Sequence, residues 1–426
     1  LIGALHRYVR GFTGFSRDAR LFLLTTIIFG AALSLYYIDF NLYLESIGVD
    51  RPTIGWMMSI SQLAGVLVAL PASAISSRYG RRNVMAAGIA MVAAALLIVL
   101  PGQRALLIVG VVALGAGSQI VSVVQIPYIA EHTLPDQRNH FFAIWSAFGF
   151  GTSIFSTMLG GAVASALADR FGLVSVSAPY QILLAGVAIL GLVALGSVYL
   201  MTSDRPERGK FGLTISDRGL FFRLLLPGFV TSLGAGQLIP FLNVFVQTKF
   251  SLGLPAVNAV FAITSLGTVF AILAQPALAR RFGRIGSIVL VQGASLPFLV
   301  ILGFSPILWT VIAALTVRNS LMNAGSPIFD AFAMERVSAA ERATLAAGMT
   351  LLWSLGWTIA PLYYSTLQAT LGFTGGYTVD FVTIIILYTV STGLLWRWFR
   401  KDDQIAAARA VESPISAEAP ALVDLV

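Results

Sequence analysis

Of the 426 residues, 57% are hydrophobic and only 11% are charged, and the formal net charge is +8. A water-soluble domain carries about twice that charged share, so this chain has more apolar surface than a soluble core could enclose. Cysteine is absent, which excludes disulfides and thiolate metal sites and leaves the redox compartment undetermined.

Along residues 1–20, Leu5, Tyr8, Val9, Phe12 and Phe15 alternate with arginines. That pattern predicts a short amphipathic helix on the inner leaflet, with no cleavable signal peptide. Apolar stretches follow near 21–44, 54–76, 84–101, 105–130, 141–167, 180–201, 221–248, 256–278, 286–304, 306–334, 343–370 and 377–399. A helix of about 20 residues crosses the hydrocarbon core, so each stretch reads as one span. Barrel strands run about ten residues and alternate strictly, unlike these. The expected fold is therefore an all-α membrane protein of twelve transmembrane helices. Residues 21–201 form one six-helix bundle and 221–399 another, joined by a polar linker at 202–220, the longest polar segment. The tail 400–426 is Ala/Glu/Pro-rich without apolar period and is expected to be disordered. Other connections are short, so consecutive spans are antiparallel neighbours.

The basic residues give an orientation. With both termini on one side, 22 of the 27 lysines and arginines fall on that side. The opposite side holds Arg51, Arg104, Arg170 and Lys249, and Arg318 lies within a span. The positive-inside rule places both termini in the cytoplasm of a multi-pass inner-membrane protein. A nucleic-acid patch would be contiguous and interleaved with exposed aromatics, so no nucleic-acid partner is expected.

The two halves echo each other. Arg78-Tyr79-Gly80-Arg81-Arg82 returns as Arg281-Phe282-Gly283-Arg284, an offset of 203. Glu131 and Arg138 are seven apart, as are Glu335 and Arg342 at an offset of 204, and Asn41-Leu42-Tyr43 is matched by Asn243-Val244-Phe245 at 202. Six is an even number of spans, so the repeats share orientation about an axis along the membrane normal.

Two parallel six-span repeats with an Arg-x-Gly-Arg-Arg loop after the second span resemble the major facilitator superfamily, nearest its drug/proton antiporter-like branch, over roughly 20–400. The family loop begins Gly-x-Leu-Ala-Asp; the glycine and the acid are Ser73 and Ser77 here. The resemblance then implies a weaker cytoplasmic latch. In the fourth span, Val111 or Val112 stands where the family carries an arginine, and in the fifth only Gly160 and Gly161 of the antiporter motif remain. The resemblance also implies a cytoplasmic gate, made here of Arg78, Gly80, Arg81, Arg82, Glu131, Arg138, Arg281, Gly283, Arg284, Glu335 and Arg342.

Ionisable residues at membrane depth mark candidate chemistry, because a charge at mid-helix costs roughly 2.5–3.5 kcal/mol on insertion scales. Arg318 lies about 20 Å into the tenth span, near the midplane. Asp39 lies in the outer third of the first span, and Asp330 low in the tenth on one face with Asn319 and Asn323. Asp39 and Asp330 are the expected proton carriers, with Arg318 as charge partner; each also has a structural reading, as an interfacial acid or a carbonyl-capping arginine. Asp380, a few residues into the last span, reads as interfacial. A cavity lined by Tyr36, Tyr37, Gln119, Gln125, Trp145, Phe148, Gln237, Asn243, Arg318, Asn319, Asn323, Trp353 and Trp357 is expected to hold substrate, against the alternative that such aromatics pack or face lipid.

The three histidines, His6, His132 and His140, form no metal pair or catalytic triad, and no phosphate-binding loop is present. No enzyme activity, metal or cofactor is expected, and the proton gradient supplies the energy. The expected function is export of a small organic, amphipathic solute by a monomer in the lipid bilayer, through alternating access. An uncoupled facilitator or importer of a nutrient or organic anion is the alternative, and a non-transporting membrane sensor a further one.

Overall fold

A computed structural model describes residues 15–133, 138–202, 215–338 and 341–412. Helix α1 runs Arg17–Ser46, α2 Arg51–Tyr79, α3 Arg81–Val99, α4 Arg104–His132, α5 Arg138–Arg170 and α6 Ala178–Tyr199. The second half holds α7 Arg218–Leu238, a 3-10 turn Ile239–Phe241, α8 Leu242–Phe250, α9 Leu254–Phe282, α10 Arg284–Phe304, α11 Leu308–Glu335 and α12 Arg342–Glu412. Nine helices among the described residues are long and apolar enough to cross a membrane, one of them covering Thr344–Lys401.

Local chemistry sets the ends. Ser16 Oγ accepts from the Ala19 amide at 3.1 Å to start α1, and Asp50 accepts from Thr53 at 3.1 Å to start α2, with Pro52 in the first turn. Gly80 and Gly283 stop one helix and start the next with φ of 85° and 73°, a backbone region that penalises any residue with a Cβ. Glycine at the centre of both Arg-x-Gly-Arg loops is thus a conformational requirement.

α12 is two helices bent back on each other at Gly372, where φ is 64° and ψ −165°. Tyr364 and Tyr377 are 13 residues apart, about 20 Å along a straight helix, yet their hydroxyls stand 3.1 Å apart. Together the twelve passes match the expected count. Three boundaries differ from expectation. The seventh pass is broken at Ile239–Phe241 because Pro240 has no N–H to give the ladder. The last helix continues past Arg400 to Glu412 instead of ending in a disordered tail from 400, since the run around Ala406, Ala407 and Ala408 has high helix propensity. Residues 17–20 belong to α1 rather than to a separate surface helix; that helix over 1–14, the linker core at 203–214 and the tail at 413–426 lie outside the described residues.

Each half packs on itself in the same pattern. α1 lies on α5 and α6, α3 on α4 and α6, and α2 on α4; correspondingly α7 lies on α12, α10 on α11 and α12, and α9 on α11. Between the halves α2 meets α12 and α5 meets α9, with α1 against α8.

Candidate functional site

One face of the bundle carries the turns near residues 47–50, 251–253 and 372; this is the distal face. The other carries the glycine loops at 80 and 283, the start of α1 at Ser16 and the end of the first half at Thr202; this is the terminal face. Six hydrogen bonds that join the two halves lie in the distal half of the molecule.

At the centre of that junction the repeat becomes a clasp. Asn41 Nδ2 on α1 donates to the Pro240 carbonyl at 2.6 Å, and Asn243 Nδ2 on α8 donates to the Ile38 carbonyl. Donors 41 and 243 and acceptors 38 and 240 are both 202 apart, so one contact is made twice, once by each half. Around it, Ser365 Oγ donates to the Pro52 carbonyl at 2.6 Å and Gln247 Nε2 to the Tyr180 hydroxyl at 2.8 Å. Arg51 spans the rim: it pairs with Glu45 at 2.5 Å, donates to Thr248 at 3.2 Å and stacks 4.7 Å from the Phe373 ring centroid. Glu45, Arg51, Pro52 and Phe373 also line a distal pocket of about 310 Å³, together with Gln368.

Asp39 sits within this seal, seven residues before the end of α1 or about 10 Å along the helix. It has no solvent exposure. Its Oδ2 accepts from Asn258 Nδ2 of α9 at 3.4 Å, while its Oδ1 has no partner. Gly161 of α5 makes room for Asn258, since a Cβ there would stand 2.3 Å from Nδ2. Asp39 corresponds by the 202 offset to Phe241, which stacks on Tyr364 with centroids 3.7 Å apart. The clasp is symmetric; the acid beside it is not.

At the terminal ends, three contacts are each made within one half. Arg82 donates to the Tyr199 carbonyl at 2.9 Å, Arg284 pairs with Glu335, and Arg342 Nε donates to the Met334 carbonyl at 3.1 Å. Arg78 is exposed beside Tyr79, and Arg81 is half-buried. The side chains of Glu131, Arg138 and Arg281 lie outside the described residues. Of the residues expected to form a gate, Arg82, Arg284 and Arg342 thus each bond within their own half-bundle, and a space remains between the halves beside Tyr37.

Several predicted lining residues reach that space. Tyr37 is 60% accessible although protein encloses it, the signature of an internal cavity wall. Phe148, Trp353, Asn323 and Asp330 are exposed; Gln119, Gln125, Asn319 and Trp357 are half-buried. Others do not line it. Asn243 is buried in the clasp; Gln237 is buried with Nε2 donating to the Asp380 carbonyl at 3.3 Å; Tyr36 is buried beneath Tyr37. Trp145 is half-buried, its indole donating to Thr26 Oγ1 at 3.1 Å. Polar atoms in an apolar medium seek partners, and these found protein partners.

Arg318 is buried, ten residues into α11, about 15 Å along it. Its guanidinium donates to Asn319 Oδ1 at 2.8 Å and to the Tyr388 hydroxyl at 2.9 Å. It makes no ion pair among the described residues, so the expected pairing with Asp39 or Asp330 is absent here. Asp380, read from the sequence as interfacial, is fully buried, because α7, α8 and α10 cover that turn of α12. Sequence reasoning also missed Asn258 and Tyr388; an amide within the apolar run 256–278, which holds one other at Gln275, was the available signal for the first.

The family model described as Major Facilitator Superfamily matches residues 22–361. The sequence has no match among curated proteins. A bacterial homolog of the human lysosomal transporter Spinster, in an inward-facing and occupied conformation, superposes with a TM-score of 0.73 at 14% identity, covering 90% of this chain and 97% of that one. The nucleoside transporter NupG gives 0.72 at 12%, covering 89% and 99%. A D-xylose–proton symporter gives 0.69 at 14%, covering 89% and 97%. At such identities these likenesses establish the fold.

Proposed function

Because the chain belongs to the Major Facilitator Superfamily, we propose that this transporter moves a small organic, amphipathic solute by alternating access and exchanges it for protons. We take the terminal face as cytoplasmic on the positive-inside distribution, so that the distal seal closes the outer side. Substrate enters from the cytoplasm between Tyr37, Phe148 and Trp353, with Gln119, Asn319 and Asn323 as polar contacts. Aromatic walls with few charges suit an amphipathic solute better than a polyanion, which would need several bases.

The observation that carries the coupling is Asp39, buried at the meeting of the halves and held only by Asn258 of the opposite half. A buried carboxylate without a counter-ion costs several kcal/mol. Closing the seal therefore favours the carboxylic acid, and opening it brings water to Asp39 from the distal side. In the proposed cycle Asp39 takes a proton while the distal side is open, and the neutral acid enters the seal as it closes. Substrate arriving beside Tyr37, two residues before Asp39 in α1, then favours loss of the proton towards the cytoplasm. Asp330, accessible on the terminal side, is the second candidate acceptor on that route.

Reconstituted protein tests this with a pH-sensitive dye inside liposomes and a panel of amphipathic organic cations, nucleosides and pentoses. Asp39→Asn is expected to abolish gradient-driven accumulation while retaining solute exchange. Full uphill transport by Asp39→Asn would refute the coupling role. The uncoupled importer of an organic anion would need Arg318 to bind the anion, so that Arg318→Ala would abolish uptake, whereas Asn319 and Tyr388 each already take one of its donors; a non-transporting sensor would show no flux for any solute.

A further inference from the structure

Asp380 takes no part in the cycle above. It lies eight residues beyond the Gly372 bend, about 12 Å along the helix, inside the second bundle rather than between bundles. Its side chain has no solvent exposure, and neither carboxylate oxygen has a hydrogen-bond partner. No ion pair among the described residues includes it.

The surrounding elements supply no counter-charge at contact. From α7, Gln237 reaches only the Asp380 main-chain carbonyl. From α8, Phe245 packs on Phe381 with centroids 5.1 Å apart, and Lys249 Nζ donates to the Gly303 carbonyl of α10 at 2.8 Å. Within α12, the Tyr364 hydroxyl meets that of Tyr377 at 3.1 Å, and Tyr377 donates onward to the Phe241 carbonyl at 3.0 Å. Beyond the tyrosines stand Arg51 and Glu45, paired with each other. These are the titratable and charged groups facing Asp380: Lys249, Tyr364, Tyr377, Arg51 and Glu45. Each is committed elsewhere.

A second feature points the same way. Gln237 and Phe241, which contact Asp380 and Tyr377, bracket the break in the seventh pass. Pro240 cannot donate to the Gly236 carbonyl, so the end of α7 lacks a backbone donor. The C-terminal end of an interrupted helix carries partial negative charge, and such ends with unwound carbonyls favour small cations. Asp380 meets that end through its main-chain carbonyl, and its two carboxylate oxygens, buried and without partners, add negative charge to the same region away from water.

We propose that Asp380 binds a small monovalent cation, a proton or a sodium ion, within the second bundle and independently of Asp39. The charge it neutralises lies next to the Phe241–Tyr364–Tyr377 stack, which abuts the distal seal through Phe373 and Arg51. Occupancy of this site then stabilises the packing of α7 and α8 on α12 in the outward-sealed state.

The test uses purified full-length protein and needs no transported solute. An Asp39→Asn background removes the other buried acid of the distal half. In it, thermal unfolding is followed in sodium chloride and in choline chloride at equal ionic strength, and the infrared carboxylic-acid band is recorded as pH is raised. A sodium-dependent rise in melting temperature that disappears when Asp380→Asn is added identifies sodium as the occupant. A protonated-carboxyl band that disappears with Asp380→Asn, without a sodium effect, identifies the proton. Should Asp380→Asn fail to fold, Asp380→Glu serves instead, expected to move the band or change the sodium response. If both signals are the same with and without the Asp380 substitution, the site does not exist. That outcome leaves the Asp39 proposal standing, and failure of Asp39→Asn to alter transport leaves this one standing.

Discussion

Removing the reciprocal clasp should release the distal seal in proportion to the number of bonds removed. Asn41→Ala and Asn243→Ala each delete one cross-bundle hydrogen bond that exists only while the seal is closed. Hydrogen bonds between membrane helices contribute about 0.6 kcal/mol on average and up to roughly 1.7. At about 1 kcal/mol each, a single variant shifts the sealed-to-open equilibrium about fivefold and the double variant, at about 2 kcal/mol, about 30-fold. The cysteine-free sequence permits labelling without background. Spin labels at Val174→Cys and Ile307→Cys, 97% and 56% exposed on opposite halves of the distal face, report the separation by pulsed dipolar spectroscopy. We expect a longer-distance population, small in either single variant and dominant in the double. A distance distribution unchanged in a folded double variant would refute the clasp as a determinant of the seal.

Gly55→Ala should act on the same equilibrium by sterics. Its Cβ would meet the Pro361 carbonyl oxygen at 2.7 Å and Ser365 Cβ at 2.9 Å, both on rigid helix, so α2 and α12 must separate; the same label pair should show the longer population, and an unchanged distribution would show that α2 moves without opening the seal. At the terminal face, Glu341 binds the linker: its carboxylate accepts from Ser216 Oγ and N, both at 2.6 Å, and from Ser338 Oγ and N at 2.7 and 3.1 Å. Hydrogen bonds from Ser216, then Ser338, hold this carboxyl down at about 2. A depressed folded-state value means the tether is complete above the ordinary carboxylate range and is lost only as pH falls towards 2. Hydrogen exchange at the Ser216 amide should therefore stay slow through mildly acidic pH and become fast in Glu341→Ala at neutral pH; loss of protection already near the ordinary carboxylate value would contradict this.

The Asn echo shows how far the sequence could be read. Its 202-residue offset was visible as a sign of duplication, and Asn243 was expected to line a cavity. What it touches depends on Ile38, 205 residues away, and no local pattern encodes that approach. Arg318 shows the same limit. Its position within an apolar run made it exceptional, but whether an acid, an amide or a phenol would reach it was decided by the packing of α11 beside α12. Asp380 was misplaced because depth along a helix was taken as depth from water; Phe381, Phe245 and Gly303 close over that turn.

Composition and spacing determined the class, the twelve passes and the twofold repeat, because the bilayer requires each segment to satisfy its own backbone. Which polar side chains face water, which face one another across the halves, and which acids are left without partners was decided only by the tertiary structure. Helix periodicity places a residue on a face, whereas the neighbour that covers that face comes from a distant part of the chain.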